Sequence, residues 1–386
     1  MSEARIYASF DEVPRVPNSG LLTGAAESWE FYQAIANIPP PGFVLGAIAA
    51  GEGADVAAVA PFFRTSYRLD TPFQGAWRRA GDWIFGHAPR LISLPVVGIG
   101  SPMVDACSIG FSPSVGREER RQLFSAMLHS LRKEAHARHD ALLSVKGLGG
   151  SEAEEFHGCL TEHGYTRVAS VPVVTLPLPF GTLNEFLASH SRQISGYFKR
   201  KLRTLPKLRI EFRSSIEGLG QQLNQLIAST LAQSNVDYAG FEEVDPTYVD
   251  KVVSSLGGRA QVMLCWRENE LLGFTLFLIG DHRIVDDRIG MKYPEAREYN
   301  IYFIIWLKLI EFAIQRRIPL LEMGATTYAT KLLFGGQLER RWLYFRWRED
   351  WANSLLRPLA PIFDFERNDP ELKQLKAKLP AADLVS

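Results

Sequence analysis

Two adjacent carboxylates on one predicted strand are the clearest candidates for chemistry. Asp286 and Asp287 stand in the stretch RIVDDRIG, which reads as a strand ending near Gly290. Because neighbouring side chains of a strand point to opposite faces, we expect at most one of the two to face a cleft. On its face of the strand Asp287 has Val285 and Ile289 beside it, so it would be a partly desolvated carboxylate with a raised pKa, which suits a general base. In the alternative, one carboxylate pairs with Arg283 or Arg288 and the other is solvated.

A third carboxylate, Glu322, lies on an otherwise apolar predicted strand, Ile318 to Gly324. A buried carboxylate needs a partner, because its desolvation is costly. Glu322 is therefore a second candidate for catalysis. The structural alternative is a salt bridge to Arg316, Arg317 or Lys331.

The elements around these residues follow in the order strand, helix, strand, helix. This order is typical of parallel strands joined by a crossover helix. Ligands favour the crevice at the carboxyl ends of such strands, so we expect the polar residues after Gly290 and after Met323 to share one cleft. The helix between the strands contains the apolar run Ile301 to Ile314, which carries Lys308 and Glu311 and is too short to span a membrane. It is therefore predicted to be a buried helix.

Composition excludes several broad classes. The chain has 386 residues, of which 46% are hydrophobic, so it can form two domains with cores of their own. Lys plus Arg equals Asp plus Glu at 43 each, so no net charge favours DNA or membrane insertion. The start of the chain lacks a signal peptide, which predicts a cytoplasmic protein. Three scattered cysteines, and the pair His136 and His139 without a third ligand, predict neither disulfides nor a metal. The sequence does not fix the oligomeric state.

The two halves of the chain repeat one order of elements about 177 residues apart, as counted from Gly147 and Gly324. We therefore predict an α/β fold with mixed sheets, built as a tandem of two similar domains. The predicted boundaries are 1–175 for the first domain, 176–357 for the second and 358–386 for a polar tail that frays.

Finer predictions concern the stretches near the join and the loops. A strand is predicted from Tyr165 to Leu176, and a helix from Leu183 to Leu205. Long loops are predicted from Arg64 to Pro95 and from Tyr238 to Asp245.

The predicted helix at the start of the second half is strongly basic. Six Lys or Arg residues and no acidic one lie between Lys199 and Arg209. A basic helix face can simply be solvated. In the functional interpretation, Lys199, Arg200 and Arg203 hold an anionic donor or acceptor, such as CoA, a nucleotide-linked precursor or a tRNA acceptor stem.

Three stretches carry a resemblance to a known family. They are SRQISGYFKRKLRTL, DDRIGMKYPEAREYNIYFIIW and IPLLEMGATTYATKLLFGG. In order of elements and in these motifs, the second half resembles the GNAT acyltransferase fold and its double-domain, FemAB-like branch. The first half resembles it only in the order of its elements.

The resemblance implies roles for several residues. Backbone N–H groups around Ile289 to Met291 would stabilise the oxyanion that forms during acyl transfer. Tyr328 and Lys331 match the Tyr and Lys that follow the family's glycine. Tyr328 would then protonate the leaving group, and Lys331 would bind phosphate or carboxylate or stabilise the oxyanion.

The resemblance leaves the acyl donor open. CoA-binding members carry a glycine-rich pyrophosphate loop after the fourth strand, whereas this chain has KYPEAREYN there. Either Lys292, Arg297 and the helix N-terminus at Asn300 hold the phosphates of acyl-CoA, or the donor is aminoacyl-tRNA, as in the FemAB branch.

The resulting prediction is an N-acyltransferase that moves an acetyl or longer acyl group from acyl-CoA to an amine of a small molecule or precursor. A tRNA-dependent aminoacyltransferase is the alternative within enzymes. A non-catalytic protein that binds a small molecule in the same cleft is the alternative of another class.

Overall fold

The computed structural model describes residues 3–14, 20–52, 55–68, 83, 86–87, 93–233 and 244–378. Most of the two predicted long loops lies outside these residues. The described part is a mixed α/β protein, as predicted. In its residues 64–68 and 93–95 the first predicted loop is instead strand.

The strands, in chain order, are β1 Glu3–Tyr7, β2 Phe43–Glu52, β3 Asp55–Arg68, β4 Ser93–Ile99, β5 Gly110–Phe111, β6 Leu142–Gly149, β7 Thr166–Ala169, β8 Val173–Pro177, β9 Arg209–Arg213, β10 Ala260–Arg267, β11 Glu270–Ile279, β12 Arg283–Met291, β13 Leu320–Gly324, β14 Gln337–Glu339 and β15 Arg341–Trp347.

The α-helices are α1 Trp29–Ala36, α2 Arg117–Arg138, α3 Gly150–Glu162, α4 Leu183–Ala188, α5 Arg192–Lys201, α6 Gly220–Leu231, α7 Tyr248–Leu256, α8 Glu295–Glu298, α9 Ile301–Gln315, α10 Tyr328–Leu333, α11 Asp350–Leu356, α12 Phe365–Asn368 and α13 Pro370–Lys378. Short 3-10 segments occupy Phe10–Glu12, Leu202–Lys207, Gly257–Arg259 and Arg357–Phe363.

Both halves build the same unit. In the first, the antiparallel strands β2, β3 and β4 are followed by helix α2 and by β6, which is parallel to β4. In the second, β10, β11 and β12 are followed by helix α9 and by β13, which is parallel to β12. The predicted internal repeat is therefore present in the fold.

The last strand of each half lies in the sheet of the other half. The first sheet has the order β1-β2-β3-β4-β6-β15-β7, so β15 from the second half pairs with β6. The second sheet has the order β14-β8-β13-β12-β11-β10-β9, so β8 pairs with β13. A single cut in the sequence cannot separate these two sheets. The boundaries at 175 and 357 stay predictions about sequence units.

Three stretches differ from the prediction. The strand expected from Tyr165 to Leu176 is two strands in different sheets, separated at Pro172, which has no N–H to donate to a ladder. The helix expected from Leu183 to Leu205 is divided because the Ser191 side chain accepts the Ile194 N–H and starts a second helix.

The segment after residue 357, predicted to fray, is instead folded through residue 378. Leu372 is buried, and the carboxylate of Glu371 accepts the Ala329 N–H in the first turn of α10. An ion pair between Arg340 and Glu366 also holds this segment.

Three apolar cores hold the layers together. One lies between the two sheets and includes α1, α6 and α7. Another packs α9 and α10 on the outer face of the second sheet, and the third packs α2 and α3 on the outer face of the first. Because α9 is enclosed, ten of its fifteen residues are buried. No helix in the described residues has the length and apolar character needed to cross a membrane.

A buried chain of ion pairs joins the sheets. Glu322 on β13 accepts from Arg283 at 3.1 Å and from Arg341 at 3.4 Å, and Arg283 also binds Glu27 at 2.6 Å. Arg341 begins β15, so it belongs to the first sheet and also pairs with Glu339. Removing one member of such a buried set leaves a carboxylate without compensation.

We predict that Arg341→Met lowers the free energy of unfolding by about 3 kcal/mol, because Glu322 loses one of its two cations in the interior. The control is Arg138→Met, which removes a guanidinium that is 67% exposed and pairs with Glu134 one turn away. It should change stability by less than about 0.5 kcal/mol. Urea unfolding of both variants measures the difference, and equal losses would contradict a structural role for the buried pairs.

Candidate active site

The candidate site opens where two parallel strands separate. Strands β12 and β13 pair only from Arg283–Leu320 to Val285–Glu322. Beyond that point β12 stays paired to β11 as far as Met291, while its other edge is open. A cavity of about 720 Å³ occupies the gap and reaches the inner face of the first sheet.

The open edge of β12 exposes backbone groups to the cavity. The Lys292 N–H donates to Leu272 O of β11, whereas the Met291 N–H points away from β11 and donates to Thr230 Oγ1 at 2.7 Å. Alternate residues of a strand turn their N–H groups to the same side, so the Ile289 N–H also points into the gap. Of the stretch Ile289 to Met291 that was expected to bind the oxyanion, Ile289 therefore offers the donor that helix α6 does not use.

Asp286 and Asp287 point to opposite faces, as the strand period predicts. Asp286 accepts a hydrogen bond from Thr275, and Asp287 accepts one at 3.1 Å from Tyr248 on α7, in the core between the sheets. The expectation that at most one faces the cleft was wrong, since both line the cavity. The reason is that the gap between β12 and β13 opens the sheet to both of its faces.

Burial makes both aspartates hard to ionise. It raises the pKa of Asp287 to about 6, against the opposing effects of Arg288 and the Tyr248 hydroxyl. Burial also raises the pKa of Asp286, while the Thr275 hydroxyl and Lys331 oppose that rise. Asp287 Oδ1 is held by Tyr248, but its Oδ2 is buried without a hydrogen-bond partner among the described residues. Asp287 thus has one oxygen fixed and one available to a ligand.

Glu322 also lines the cavity, but it is held by other residues. Its partners are Arg283 and Arg341, not the residues near it in sequence that were expected, Arg316, Arg317 and Lys331. Burial raises the pKa of its carboxyl, and the two arginines oppose this. With two cations on Oε2, Glu322 is better placed to fix the base of the gap than to take a proton.

Lys331 lines the cavity and is 5% exposed. Its Nζ donates to the carbonyl oxygens of Gly324 at 3.2 Å and Ala325 at 2.6 Å. Burial lowers the pKa of Lys331, and Asp286 opposes this. The ammonium therefore holds the turn after β13 and adds positive charge beside Asp286.

Tyr328 is fully buried and is not one of the residues that line the cavity. Its hydroxyl donates to Pro172 O at 3.0 Å, at the point where β7 and β8 part. Tyr302 on α9 does line the cavity, and its hydroxyl is buried near Trp306 and Thr327. The geometry thus offers Tyr302, and not Tyr328, as the tyrosine beside the turn after β13; Tyr67 and Tyr293 line other parts of the cavity.

The turn after β13 holds two threonines in a strained conformation. Thr326 has φ 62° and Thr327 has φ 51°, which β-branched residues rarely adopt. Both line the cavity, immediately before helix α10. Backbone strain of this kind persists where the surroundings impose it, and it is concentrated at functional sites.

The predicted phosphate-binding residues lie at or beyond the rim. Lys292 pairs with Glu270 and Glu295. Arg297 is exposed and donates to Gln233, which lines the cavity, so Arg297 stands at the rim. Asn300 begins α9, and its side-chain oxygen accepts from Lys201 at 2.9 Å instead of capping the helix.

The basic helix lies outside the cavity. Lys199, Arg200 and Arg203 are exposed, and none of them is among the residues that line it. Lys201 was not proposed as a ligand, yet it is the member of the basic run that reaches the start of α9, where it contacts the rings of Tyr197 and Phe303. Counting basic residues cannot show which of them turns toward the helix.

The first half contributes a large part of the cavity. Asp105 and Lys146 line it beside an apolar wall. The aromatic and aliphatic members of that wall from the first sheet and the C-terminal segment include Phe43, Phe63, Tyr67, Val96, Leu142, Leu343, Phe345, Trp347, Phe363 and Phe365. Sequence analysis missed this contribution, although the alignment of Gly147 with Gly324 placed Lys146 at the equivalent strand end. Within the described ranges, no cluster of three or more His, Cys, Asp or Glu side chains is arranged to hold a metal ion.

Comparisons with known proteins agree with this architecture. Residues 189–332 match the family described as Acetyltransferase (GNAT) domain. No curated protein matches the sequence. Among solved structures, FemX is 13% identical with a TM-score of 0.54, over 89% of this chain and 96% of FemX.

Two further structures are similar at lower TM-scores. A tandem GNAT protein from the clavulanic acid biosynthesis pathway is 12% identical with a TM-score of 0.49, over 90% of this chain and 99% of that one. The C-terminal domain of a putative lysylphosphatidylglycerol synthetase from Agrobacterium fabrum is 11% identical with a TM-score of 0.49, over 78% and 83%.

The family match confirms the predicted resemblance of the second half to GNAT acyltransferases, and the likeness to FemX confirms the predicted double-domain fold. Residues 189–332 thus match a GNAT domain model, and they lie within a tandem of two units with the same order of elements.

We predict a pH-dependent stability difference between the wild type and Asp287→Asn. The folded pKa of about 6 lies above the ordinary value of ~4, so the folded state favours the neutral carboxyl. The stability that Asp287 contributes is full below pH ~4 and is lost as the pH rises through about 6. Asparagine cannot ionise. Between pH 4 and pH 8, the free energy of unfolding of the variant should therefore rise relative to that of the wild type by roughly 2–3 kcal/mol.

Urea unfolding across this pH range measures the difference. Asp250→Asn, an exposed carboxylate on α7, is the control and should track the wild type at every pH. If the difference in free energy of unfolding between Asp287→Asn and the wild type stays constant with pH, the pKa of Asp287 is not raised in the folded state.

Proposed function

We propose that the protein is an N-acyltransferase that moves an acyl group from acyl-CoA to an amine, in the cavity between β12 and β13. The observation that carries the proposal is the open edge of β12, where a free backbone N–H and a carboxylate with an unpartnered oxygen face the same gap. Acyl transfer to an amine needs both, because negative charge develops on the carbonyl oxygen while the nitrogen must lose a proton.

Asp287 acts as the general base in this proposal. The amine nitrogen attacks the thioester carbonyl carbon, so a C–N bond forms and the C–S bond then breaks. Asp287 Oδ2 takes the proton that the nitrogen loses, and the thiolate leaves and is protonated. A carboxyl with a pKa of about 6 is mostly ionised at neutral pH, and it is a stronger base than an ordinary aspartate.

The oxyanion is stabilised by the Ile289 N–H. Lys331 supports this, because its ammonium fixes Gly324 and Ala325 on the opposite side of the gap and adds positive charge there. Tyr302 lines the cavity with its hydroxyl near Thr327 of the strained turn, and it takes the role of protonating the leaving group that the resemblance gave to Tyr328.

The cavity also favours an acceptor or acyl group with an apolar part. Its wall on the first sheet is formed by aromatic and aliphatic side chains, whereas its acidic residues lie near the gap. Burial of apolar surface against such a wall contributes about 25 cal/mol per Å². An acyl group longer than acetyl, or an amine with a ring or chain, fits this arrangement.

A second candidate, tRNA-dependent aminoacyl transfer, is favoured by the placement of the basic residues. Lys199, Arg200 and Arg203 are exposed outside the cavity, and Lys292 is occupied by Glu270 and Glu295. An exposed basic helix suits a donor with many phosphates on the protein surface better than a single pyrophosphate in a loop.

We expect acetyl-CoA and a longer acyl-CoA to raise the melting temperature in proportion to the logarithm of their concentration above Kd, because they bind only the folded state. Adding an accepted amine from a panel should then release free thiol. No shift and no thiol with any acyl-CoA would overturn the CoA proposal.

The tRNA candidate has a separate measurement. The tRNA candidate predicts that the wild type binds aminoacyl-tRNA with an affinity that falls steeply as the salt concentration rises. The triple variant Lys199→Gln, Arg200→Gln, Arg203→Gln should lose this binding. If neither donor is used although a ligand binds in the cavity, the protein is a non-catalytic binding protein.

We predict that Asp287→Asn lowers kcat/KM at pH 7 by a factor of about 10² to 10⁴, the usual contribution of a general base. In the wild type, kcat/KM should rise with pH and level off above about 6, as the carboxyl ionises. The variant should lack this step, whereas Asp250→Asn should keep both the rate and the step. If Asp287→Asn keeps the dependence of kcat/KM on pH seen in the wild type, Asp287 is not the general base.

A further inference from the structure

The first half of the chain places one carboxylate directly at the gap. Asp105 Oδ2 lies 3.7 Å from the position that a Cβ atom would take on Gly324, and that position is 4.0 Å from the carbonyl oxygen of Asp286. Asp105 is therefore at the border between β12 and β13, although it belongs to the loop that follows β4 of the first sheet.

Asp105 is available to a ligand. Its side chain is exposed within the cavity, and no hydrogen bond or ion pair engages it among the residues that the structure describes. The other acidic residues of the cavity differ: Glu322 binds two arginines, Asp286 accepts from Thr275, and Asp287 has one oxygen held by Tyr248. Asp287 also lines this cavity, and its buried Oδ2 has no hydrogen-bond partner among the described residues, which is a second, independent sign of a ligand.

The loop that carries Asp105 is fixed from below by Lys146. The buried ammonium of Lys146 donates to Ser101 O at 3.0 Å and to Val104 O at 2.6 Å. The Cys107 N–H donates to Gly147 O at 2.9 Å on the other side of Asp105. Gly147, at φ +85°, allows this approach, because a Cβ there would lie 2.5 Å from Asp105 O.

Among the described residues, Lys146 forms no direct ion pair with Asp105, although the charge of Asp105 acts on it and opposes the lowering of the Lys146 pKa by burial. Its Nζ donates to two backbone carbonyl oxygens, as the Nζ of Lys331 does on the other side of the gap. The two buried lysines hold the two turns that border the gap, and the carboxylate of Asp105 is left free. An amine that enters this space at neutral pH is an ammonium ion, and Asp105 is the carboxylate that it can pair with directly.

We propose that Asp105 is a substrate-binding residue that pairs with the ammonium form of the acceptor, and that Lys146 is the positioning residue that holds Asp105 at the gap. The inference rests on the proposed amine acceptor. The ammonium is held by Asp105 and releases one proton to solvent. The neutral amine then attacks the thioester carbonyl, and Asp287 takes the second proton that the nitrogen loses, as in the proposed function. The acceptor is therefore a basic amine, charged at pH 7, and not an aryl amine or an amide.

The test compares two probes of equal shape, benzylamine and benzyl alcohol, at pH 7 by ligand-observed NMR titration. Only benzylamine carries a positive charge, and both rings fit the apolar wall. We expect the wild type to bind benzylamine at least about tenfold more tightly than benzyl alcohol, a difference of ~1.4 kcal/mol. In Asp105→Asn the two affinities should come within about threefold of each other, while benzyl alcohol binds as in the wild type.

Two variants make the comparison specific. Asp250→Asn, an exposed carboxylate outside the cavity, should keep the wild-type preference. Lys146→Met should lose the preference although Asp105 is present, and combining it with Asp105→Asn should cause no further loss. Unchanged benzyl alcohol binding shows that the cavity is intact in each variant.

A preference that survives Asp105→Asn, or a wild type without one, overturns the role of Asp105. A preference that survives Lys146→Met overturns the positioning role. Binding does not need turnover, so the outcomes separate the two proposals. A charge preference that depends on Asp105 without acyl transfer would refute only the proposed enzyme, and acyl transfer without such a preference would refute only this inference.

Discussion

The last paired position of β12 and β13, Val285 with Glu322, is the constraint on which the site depends. At this position a single buried carboxylate binds Arg283 on its own sheet and Arg341 on the other. The strands are held together below that point and separate above it, so the gap has a fixed origin. A buried ion pair of this kind contributes little net stability, but its geometry is demanding, and here it sets where the two sheets meet.

The exchange of strands explains why the site needs the whole chain. Strand β15 brings Arg341 into the first sheet and continues into Leu343, Phe345 and Trp347, which line the cavity. The reciprocal strand β8 pairs with the other edge of β13 and so holds β13, which borders the gap, in the second sheet. Because the cavity wall takes residues from both sheets, the first half is a part of the binding site as well as a cover for it.

Local patterns predicted most of the elements and the location of the gap. The apolar run of α9 and the strand periodicity of β12 are local properties, so the crossover unit and the opposite directions of Asp286 and Asp287 followed from the sequence. The exchange of β8 and β15 did not, because strand patterns do not say which sheet a strand joins. The division at Ser191 had a visible signal, since a serine in the middle of a helical stretch can cap a new helix.

Side-chain partners were the least predictable feature of the site. Candidates for Glu322 were taken from nearby residues, yet its partners are 39 residues before it and 19 after it. Asp105 and Lys146 were missed for the same reason, because only the packing of two halves brings them to the gap. Tyr328 was a candidate because it matches a family motif. Its hydroxyl nevertheless donates to the backbone carbonyl of Pro172, which is distant in sequence, and it does not line the cavity.

The distribution of charge also constrains how a donor binds. Carboxylates border the gap, while the cations that line it, Lys146, Lys331 and Arg288, donate to backbone carbonyls, so the carboxylates are the charged groups that an entering cation meets. Cations available to an anion stand outside, with Arg297 at the rim, Lys201 at the start of α9, and Lys199, Arg200 and Arg203 on the surface. A donor of either kind must therefore keep its phosphates outside and pass only its acyl end into the gap. That separation places the reacting carbonyl beside the open edge of β12 and leaves the acidic side of the cavity to the amine.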